Sequence, residues 1–244
     1  PFGPPRQGLA FVERKGLHYS IGGLVARNAK GEPPQLHSNA DVERFDPKTK
    51  QWSTLTPLPE ARSSHEAVVM GDHLYVLGGW NMTGDDEHWH RTSLVADLTQ
   101  EPLEWKTIAQ PFRRRAIAAA ELDGKVLVIG GFTPASKASA RTNIYDPKTD
   151  TWTRGQDVPT EYQFKMFGAA AFRVGDRVYA NGADGIVYVL SAPTGEWSQL
   201  DAKLKEPRFF HRMVPWGGDR LVFIAGAGRG GFLKSIETVR IPQA

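Results

Sequence analysis

The amino-acid sequence predicts an all-β fold assembled from a four-stranded unit repeated along the chain. Three observations carry this expectation: an apolar run ending in two small residues recurs, a lone tryptophan recurs behind it, and helical periodicity is hard to find. The apolar run stands at His18-Tyr19-Ser20-Ile21-Gly22-Gly23, Leu74-Tyr75-Val76-Leu77-Gly78-Gly79 and Val126-Leu127-Val128-Ile129-Gly130-Gly131. Two weaker copies follow, Val178-Tyr179-Ala180-Asn181-Gly182-Ala183 and Leu221-Val222-Phe223-Ile224-Ala225-Gly226. Copies lie roughly 50 residues apart, a period that points to one supersecondary unit per repeat. The tryptophans are Trp52, Trp105, Trp152 and Trp197, and each follows its own small-residue pair.

Within the second repeat, Glu66 to Met70 reads as a first strand and Gly71-Asp72 as a two-residue hairpin turn. Leu74 to Leu77 is a second strand whose unbroken apolar character predicts cover on both faces. Ser93 to Leu98 and Glu104 to Ile108 read as the third and fourth strands. Equivalent first turns are Lys15-Gly16, Asp123-Gly124, Gly175-Asp176 and Gly218-Asp219. In Phe45-Asp46-Pro47-Lys48-Thr49-Lys50-Gln51-Trp52 and Tyr145-Asp146-Pro147-Lys148-Thr149-Asp150-Thr151-Trp152, Asp accepts hydrogen bonds at the first turn position and Pro presets φ at the second.

A four-stranded unit of about 50 residues cannot bury both its faces alone; packing such sheets radially covers them, which makes a β-propeller. The Gly-Gly pair, the Tyr/Phe-Asp-Pro turn and the spaced tryptophan together resemble the Kelch motif, over essentially the whole chain. The pattern is strongest in the second and third repeats and degraded in the last two. The expected organisation is one domain over 1–244 with five blades, at about 1–56, 57–109, 110–156, 157–201 and 202–244. Pro1 to Arg6 lines up with Pro57 to Arg62, so the chain starts where a fourth strand has just ended. Ser235 to Ile241 reads as a third strand, which leaves the fifth blade without its outer strand. The expectation is that residues before Pro1 in the natural gene supply that strand.

The 244 residues are 40% apolar, contain no cysteine and carry a formal charge of +3. Without cysteine there are no disulfides, thiolate metal sites or cysteine nucleophiles. Oxidase chemistry of the galactose-oxidase type, which is built on a similar propeller and needs a cysteine-linked tyrosine, is excluded. Positive and negative residues are interspersed, with no basic cluster of the kind that binds nucleic acid, and no apolar run is long enough to span a membrane.

Aligned on their turns, the repeats place Arg6, Arg62, Arg114 and Arg208 in one column just before each first strand, with Met166 and the adjacent Lys165 in the fourth. His65 and His211 share a second column. The resemblance implies that this link lies on one face of the ring beside the loop after the glycine pair, and that arginines there either brace loop carbonyls or hold an acidic ligand. Guanidinium suits the second role because it binds carboxylate or phosphate bidentately. Candidate ligand-binding residues are therefore Arg6, Arg62, Arg114, Arg208, His65, His211, Lys165, Trp80 and Arg229. The last lies in the glycine-rich loop Gly226-Ala227-Gly228-Arg229-Gly230-Gly231, where no helix follows to make a phosphate site. The second loop holds Asp85-Asp86-Glu87-His88-Trp89-His90-Arg91. His88 and His90 point the same way only if that stretch is extended, and no third ligand stands at a fixed spacing, so no metal is expected. No cofactor and no catalytic residue is assigned. Glu60, Glu66, Glu161 and Asp184 are carboxylates near the face, but none is tied to a histidine by a recognisable spacing. The sequence favours a non-enzymatic scaffold, alone or as part of a larger assembly, that binds a protein, peptide or small anionic ligand on its loop face; the alternative is an enzyme or binding protein acting on an anionic sugar, of isomerase or mutarotase type.

Overall fold

The computed structural model describes residues 5–242, and among them every regular element is a β-strand. The chain divides into two units, Pro1–Arg115 and Ala116–Ala244.

In the first unit, β1 (Ala10–Arg14) and β2 (Leu17–Ile21) form a hairpin across Lys15 and Gly16, both at positive φ as a tight turn requires. The loop behind the glycine pair carries β3 (Leu24–Ala26) and β4 (Leu36–Ser38), after which β5 (Val42–Asp46) and β6 (Gln51–Thr54) complete the antiparallel sheet β1-β2-β5-β6. The second repeat supplies β7 (Glu66–Met70) and β8 (His73–Leu77), then β9 (Trp80–Thr83) and β10 (Asp86–Trp89) in its long loop, then β11 (Thr92–Asp97) and β12 (Lys106–Ala109). Its blade sheet runs β7-β8-β11-β12. The middle strands bury Ile21, Leu74, Val76 and Val42 completely, each such side chain contributing about 2 kcal/mol. That continuous burial is why these runs lack the alternation of a half-exposed strand.

One sheet was not foreseen. The two long loops behind the first and second glycine pairs, Leu24 to Ala40 and Trp80 to Thr92, pair with each other as β3-β4-β9-β10. The link before each first strand joins them, Gln7 bridging to Leu24 and Ser63 to Trp80. Loop and link therefore share one end of each blade, while the Asp46–Lys50 turn sits at the opposite end beside Leu17.

The second unit repeats the scheme. β13 (Ala118–Leu122), β14 (Lys125–Ile129), β15 (Thr142–Asp146) and β16 (Thr151–Arg154) form one blade sheet. β17 (Ala170–Val174), β18 (Arg177–Asn181), β19 (Ile186–Leu190) and β20 (Ser198–Lys203) form the next. β21 (Arg212–Trp216) and β22 (Arg220–Ile224) begin the last blade, the hairpin β23 (Ala227–Gly228) and β24 (Gly231–Phe232) stands in its loop, and β25 (Ile236–Arg240) closes it as a third strand. The described residues thus form four blades of four strands and a fifth of three. The expected alignment of Pro1 to Arg6 with the later links lies partly outside the described residues.

Within each unit the first strands of successive sheets face one another, β1 against β7, and β13 against β17 against β21. The tryptophans fall into two kinds. Trp52 and Trp152 lie in fourth strands and pack on Phe45 and Tyr145 across the strand pair. Trp105 and Trp197 precede theirs, and each indole N–H donates to a carbonyl of the preceding link, Thr56 and Gln156, both at 3.2 Å. The second pair fastens one blade to the one before it.

Candidate functional site

The link and the glycine pair are one structure. In the first three pairs the second residue donates its amide to the arginine-column residue of the following link: Gly23 to Arg62 O at 2.9 Å, Gly79 to Arg114 O at 2.8 Å and Gly131 to Met166 O at 2.9 Å. Glycine is needed because a Cβ on Gly130, at φ +68°, meets Met166 closer than 3.0 Å. Two residues past the column the chain is left-handed in every blade, at Gly8, Ser64, Ala116, Gly168 and Phe210. These peptides hydrogen-bond to their counterparts, Ser64 N to Gly8 O in the first unit, and Gly168 N to Ala116 O and Phe210 N to Gly168 O in the second.

The arginine column has the geometry of a brace. Arg6, Arg62 and Arg208 each donate to the carbonyl of the first small residue of their own blade, at Gly22, Gly78 and Ala225. Arg62 and Arg208 also reach the start of the third strand, at Thr92 O and Ser235 O. Arg6 pairs with Glu43 and Arg208 with Glu237, carboxylates at matching places in β5 and β25. Burial raises the Glu43 pKa, with Arg6 pulling it the other way. Arg62 has a more distant carboxylate, Glu60, and burial lowers its pKa to about 10. Arg62, Arg114 and Arg208 are all buried, and Arg114 lies against the Phe112 ring. These side chains face protein, so the geometry favours the bracing role over ligand contact.

His65 and His211 are buried as well. His65 packs between Gly22 and Gly79. His211 lies against Phe223, and burial, with Arg208 and Arg212 nearby, lowers its pKa to about 3. Trp80 is buried under Arg115, whose guanidinium sits 4.1 Å from the ring centre, and edge-on to Trp89. In the fourth blade Met166 fills the column and is buried, while Lys165 is exposed beside it at positive φ. Arg229 is exposed on the turn between β23 and β24. Of the expected residues, Lys165 and Arg229 are the two that present charge outward. Asp184 accepts from Thr160 and Tyr188 and from the amide of Ile186, which ties it into a turn.

Aromatic residues that sequence reasoning passed over share this end of the second unit. Phe167 and Phe209 follow the arginine column in the fourth and fifth blades, where the second has Ser63. Phe167 packs on Phe132, Phe209 and Phe210, and Phe209 on Phe164, with ring centres 5.0–6.4 Å apart. Phe164 and Phe210 remain 43% and 54% exposed, and Phe232, on the β23–β24 hairpin, is 94% exposed. The signal available in the sequence was aromatic residues standing in a column that is polar elsewhere.

At the same end of the first unit, Glu60, His88 and His90 gather, with one donor atom of each within 4.8 Å of the others. His88 lies in β10 and His90 directly follows its last residue, Trp89, while Glu60 comes from the link. His90 is buried; burial and the Arg62 charge lower its pKa to about 3.

Repeated antiparallel sheets stacked on their first strands, with glycine-gated links, define a β-propeller built of Kelch-type blades. A family model for the KLHDC2/KLHL20/DRC7 Kelch-repeats domain matches residues 4–183. The chain belongs to the Kelch-repeat family. It is 31% identical over 150 residues to Kelch-like protein 35 of Mus musculus, covering 61% of this chain and 23% of that protein. It is 29% identical over 178 residues to Kelch-like protein 25 of Xenopus tropicalis, covering 72% and 28%, and 33% identical over 124 residues to F-box/kelch-repeat protein SKIP30 of Arabidopsis thaliana, covering 47% and 35%. The chain thus spans between about a quarter and a third of the length of these relatives. The solved structure of YjhT superposes on 97% of this chain and 82% of its own with a TM-score of 0.75 at 16% identity, which speaks to the fold alone.

Proposed function

We propose that this chain is a non-enzymatic protein-recognition module whose contact surface is the link-and-loop end of its blades. The observation that carries the reading is the exposed aromatic set Phe164, Phe210 and Phe232, flanked by the outward cations Lys165 and Arg229. Large apolar side chains left in water on loops held by a rigid sheet are a common basis for protein contact, and aromatic anchors with a polar rim give most of the binding energy at such surfaces. The cations favour a partner segment that places a carboxylate beside an apolar side chain. Family membership supports the same reading, since its Kelch-like relatives carry the repeat as part of a longer chain. The buried arginines are braces in this reading, and Lys165 and Arg229 take the anion-contacting role.

The test compares proteins retained by the wild-type chain with those retained by the double variant Phe164→Ser/Phe210→Ser and by Lys148→Ser, a change in the turn at the opposite end of the strands. Partners lost from the double variant and kept by Lys148→Ser support the reading. The same partners on all three chains overturn it.

A further inference from the structure

Glu60, His88 and His90 are arranged as metal ligands are. The His90 ring lies between two oxygens: Nε2 is 3.1 Å from the carbonyl of Ala61, and Nδ1 is 3.2 Å from Oε2 of Glu60. A carbonyl can only accept, so the single N–H of a neutral imidazole belongs on Nε2. Nδ1, the remaining ring nitrogen, faces the Glu60 carboxylate and can give its lone pair to a cation held between them. The N–H to backbone carbonyl bond on the far side of the ring is what orients histidine ligands in metal sites and fixes their tautomer.

The third donor is placed by the strand pairing. β10 is held in register with β9, His88 opposite Asn81 and Trp89 opposite Trp80. Extended chain puts His88 and His90 on one side, with ring centres 5.8 Å apart and planes crossed at 83°. His90 itself is fixed, its amide bonded to Gly79 O and its carbonyl accepting from Gln110 Nε2. Glu60 and His88 are exposed and free to rotate. Ligand bonds of about 2.0–2.2 Å call for a tighter set than the 4.8 Å spread of donors. Metal binding requires those two exposed side chains to rotate inward.

We propose that Glu60, His88 and His90 bind a first-row divalent cation, with Zn²⁺ as the ion whose ligand preferences they best match. Two imidazoles and one carboxylate suit Zn²⁺, Co²⁺, Ni²⁺ and Cu²⁺, whereas Mg²⁺ and Ca²⁺ prefer all-oxygen sets. Three protein donors leave a fourth position open on the solvent side, where water or a partner's side chain completes the tetrahedron. The ion joins the link before β7 to the β9–β10 hairpin, so its binding stiffens that end of the first unit.

The experiment uses the full chain stripped with a chelator, titrated with Zn²⁺ by calorimetry and with Co²⁺ by visible absorption. The site predicts one ion per chain and the d–d absorption of tetrahedral or five-coordinate Co²⁺. His88→Ala and Glu60→Gln, both changes on exposed side chains, should each weaken binding at least about tenfold, while His73→Ala, on an exposed histidine elsewhere, should leave it unchanged. A wild-type chain that takes up no ion, or one whose uptake is the same in His88→Ala and Glu60→Gln, overturns the assignment. Thermal unfolding followed by circular dichroism confirms that each variant is folded before it is scored.

Discussion

Two glycines at similar φ angles separate backbone strain from crowding. Gly71 is at φ +61° with open space where a Cβ goes, while Gly130 is at φ +68° with Met166 in the way. Gly71→Ala should lower stability by about 1 kcal/mol, the left-handed penalty alone. Gly130→Ala adds overpacking and should lower it by about 2–4 kcal/mol. Urea midpoints measure both, and equal losses would show that the link does not press on the glycine pair. The arginines differ in the same instructive way. Arg208→Met takes the guanidinium from a largely buried Glu237, leaving it the amides of Lys205 and Glu206, and should destabilise by about 3 kcal/mol. Arg62→Met removes a buried charge that has no carboxylate in salt-bridge contact among the described residues, and should cost about half as much. His211 makes stability depend on pH. Its native pKa of about 3 lies below the ordinary value of 6.5, so between those values the unfolded chain takes up a proton that the native chain refuses. Its contribution is complete above pH 6.5 and is lost as pH falls towards 3. At about pH 5 the loss is about 2 kcal/mol. His90 is lowered to a similar value, so His211→Gln should reduce, and not abolish, the fall in urea midpoint between about pH 7.5 and about pH 5; an unchanged slope would show that His211 does not contribute.

Strands and turns were readable where the physics is local. Glu66–Met70 is found as expected because apolar residues meet Gly71 at a two-residue turn, and Asp46, Asp97 and Asp146 each accept the amide two residues on. The sheet β3-β4-β9-β10 was not readable. Its strands are three or four residues of mixed polarity, and the pairing joins loops from different repeats, so no periodicity within either loop announces it. Its fastening is a side-chain bond: buried Ser38 Oγ accepts from the amide of Met82 and pairs with Ser63 Oγ at 2.7 Å. Ser38→Ala leaves both partners unsatisfied and should cost about 1–3 kcal/mol. Amide exchange at Met82 should quicken in that variant, and unaltered protection would show that strand pairing alone holds the hairpin. The same blindness to pairing hid Glu60 from His88 and His90, since the three donors meet only once the link and the hairpin are folded.

Over the whole chain the repeat was legible because it is imposed by burial. Each sheet needs a neighbour on both faces, and the small-residue pair marks where the next link crosses it. What the residues do at the loop end was harder to read, because the same guanidinium suits a carbonyl or a carboxylate. The folded geometry separates buried Arg62 and Arg208 from exposed Lys165 and Arg229, and it sets Phe164, Phe210 and Phe232 in water beside them. The central claim is that partners meet this end of the blades. It is tested most directly by placing a photo-cross-linking phenylalanine analogue at position 210 and, separately, at position 148 at the opposite end of the strands. Specific protein adducts from position 210, absent from position 148 and suppressed by excess wild-type chain, are the expected result. Adducts from position 148 alone, or an identical set from both, would contradict it.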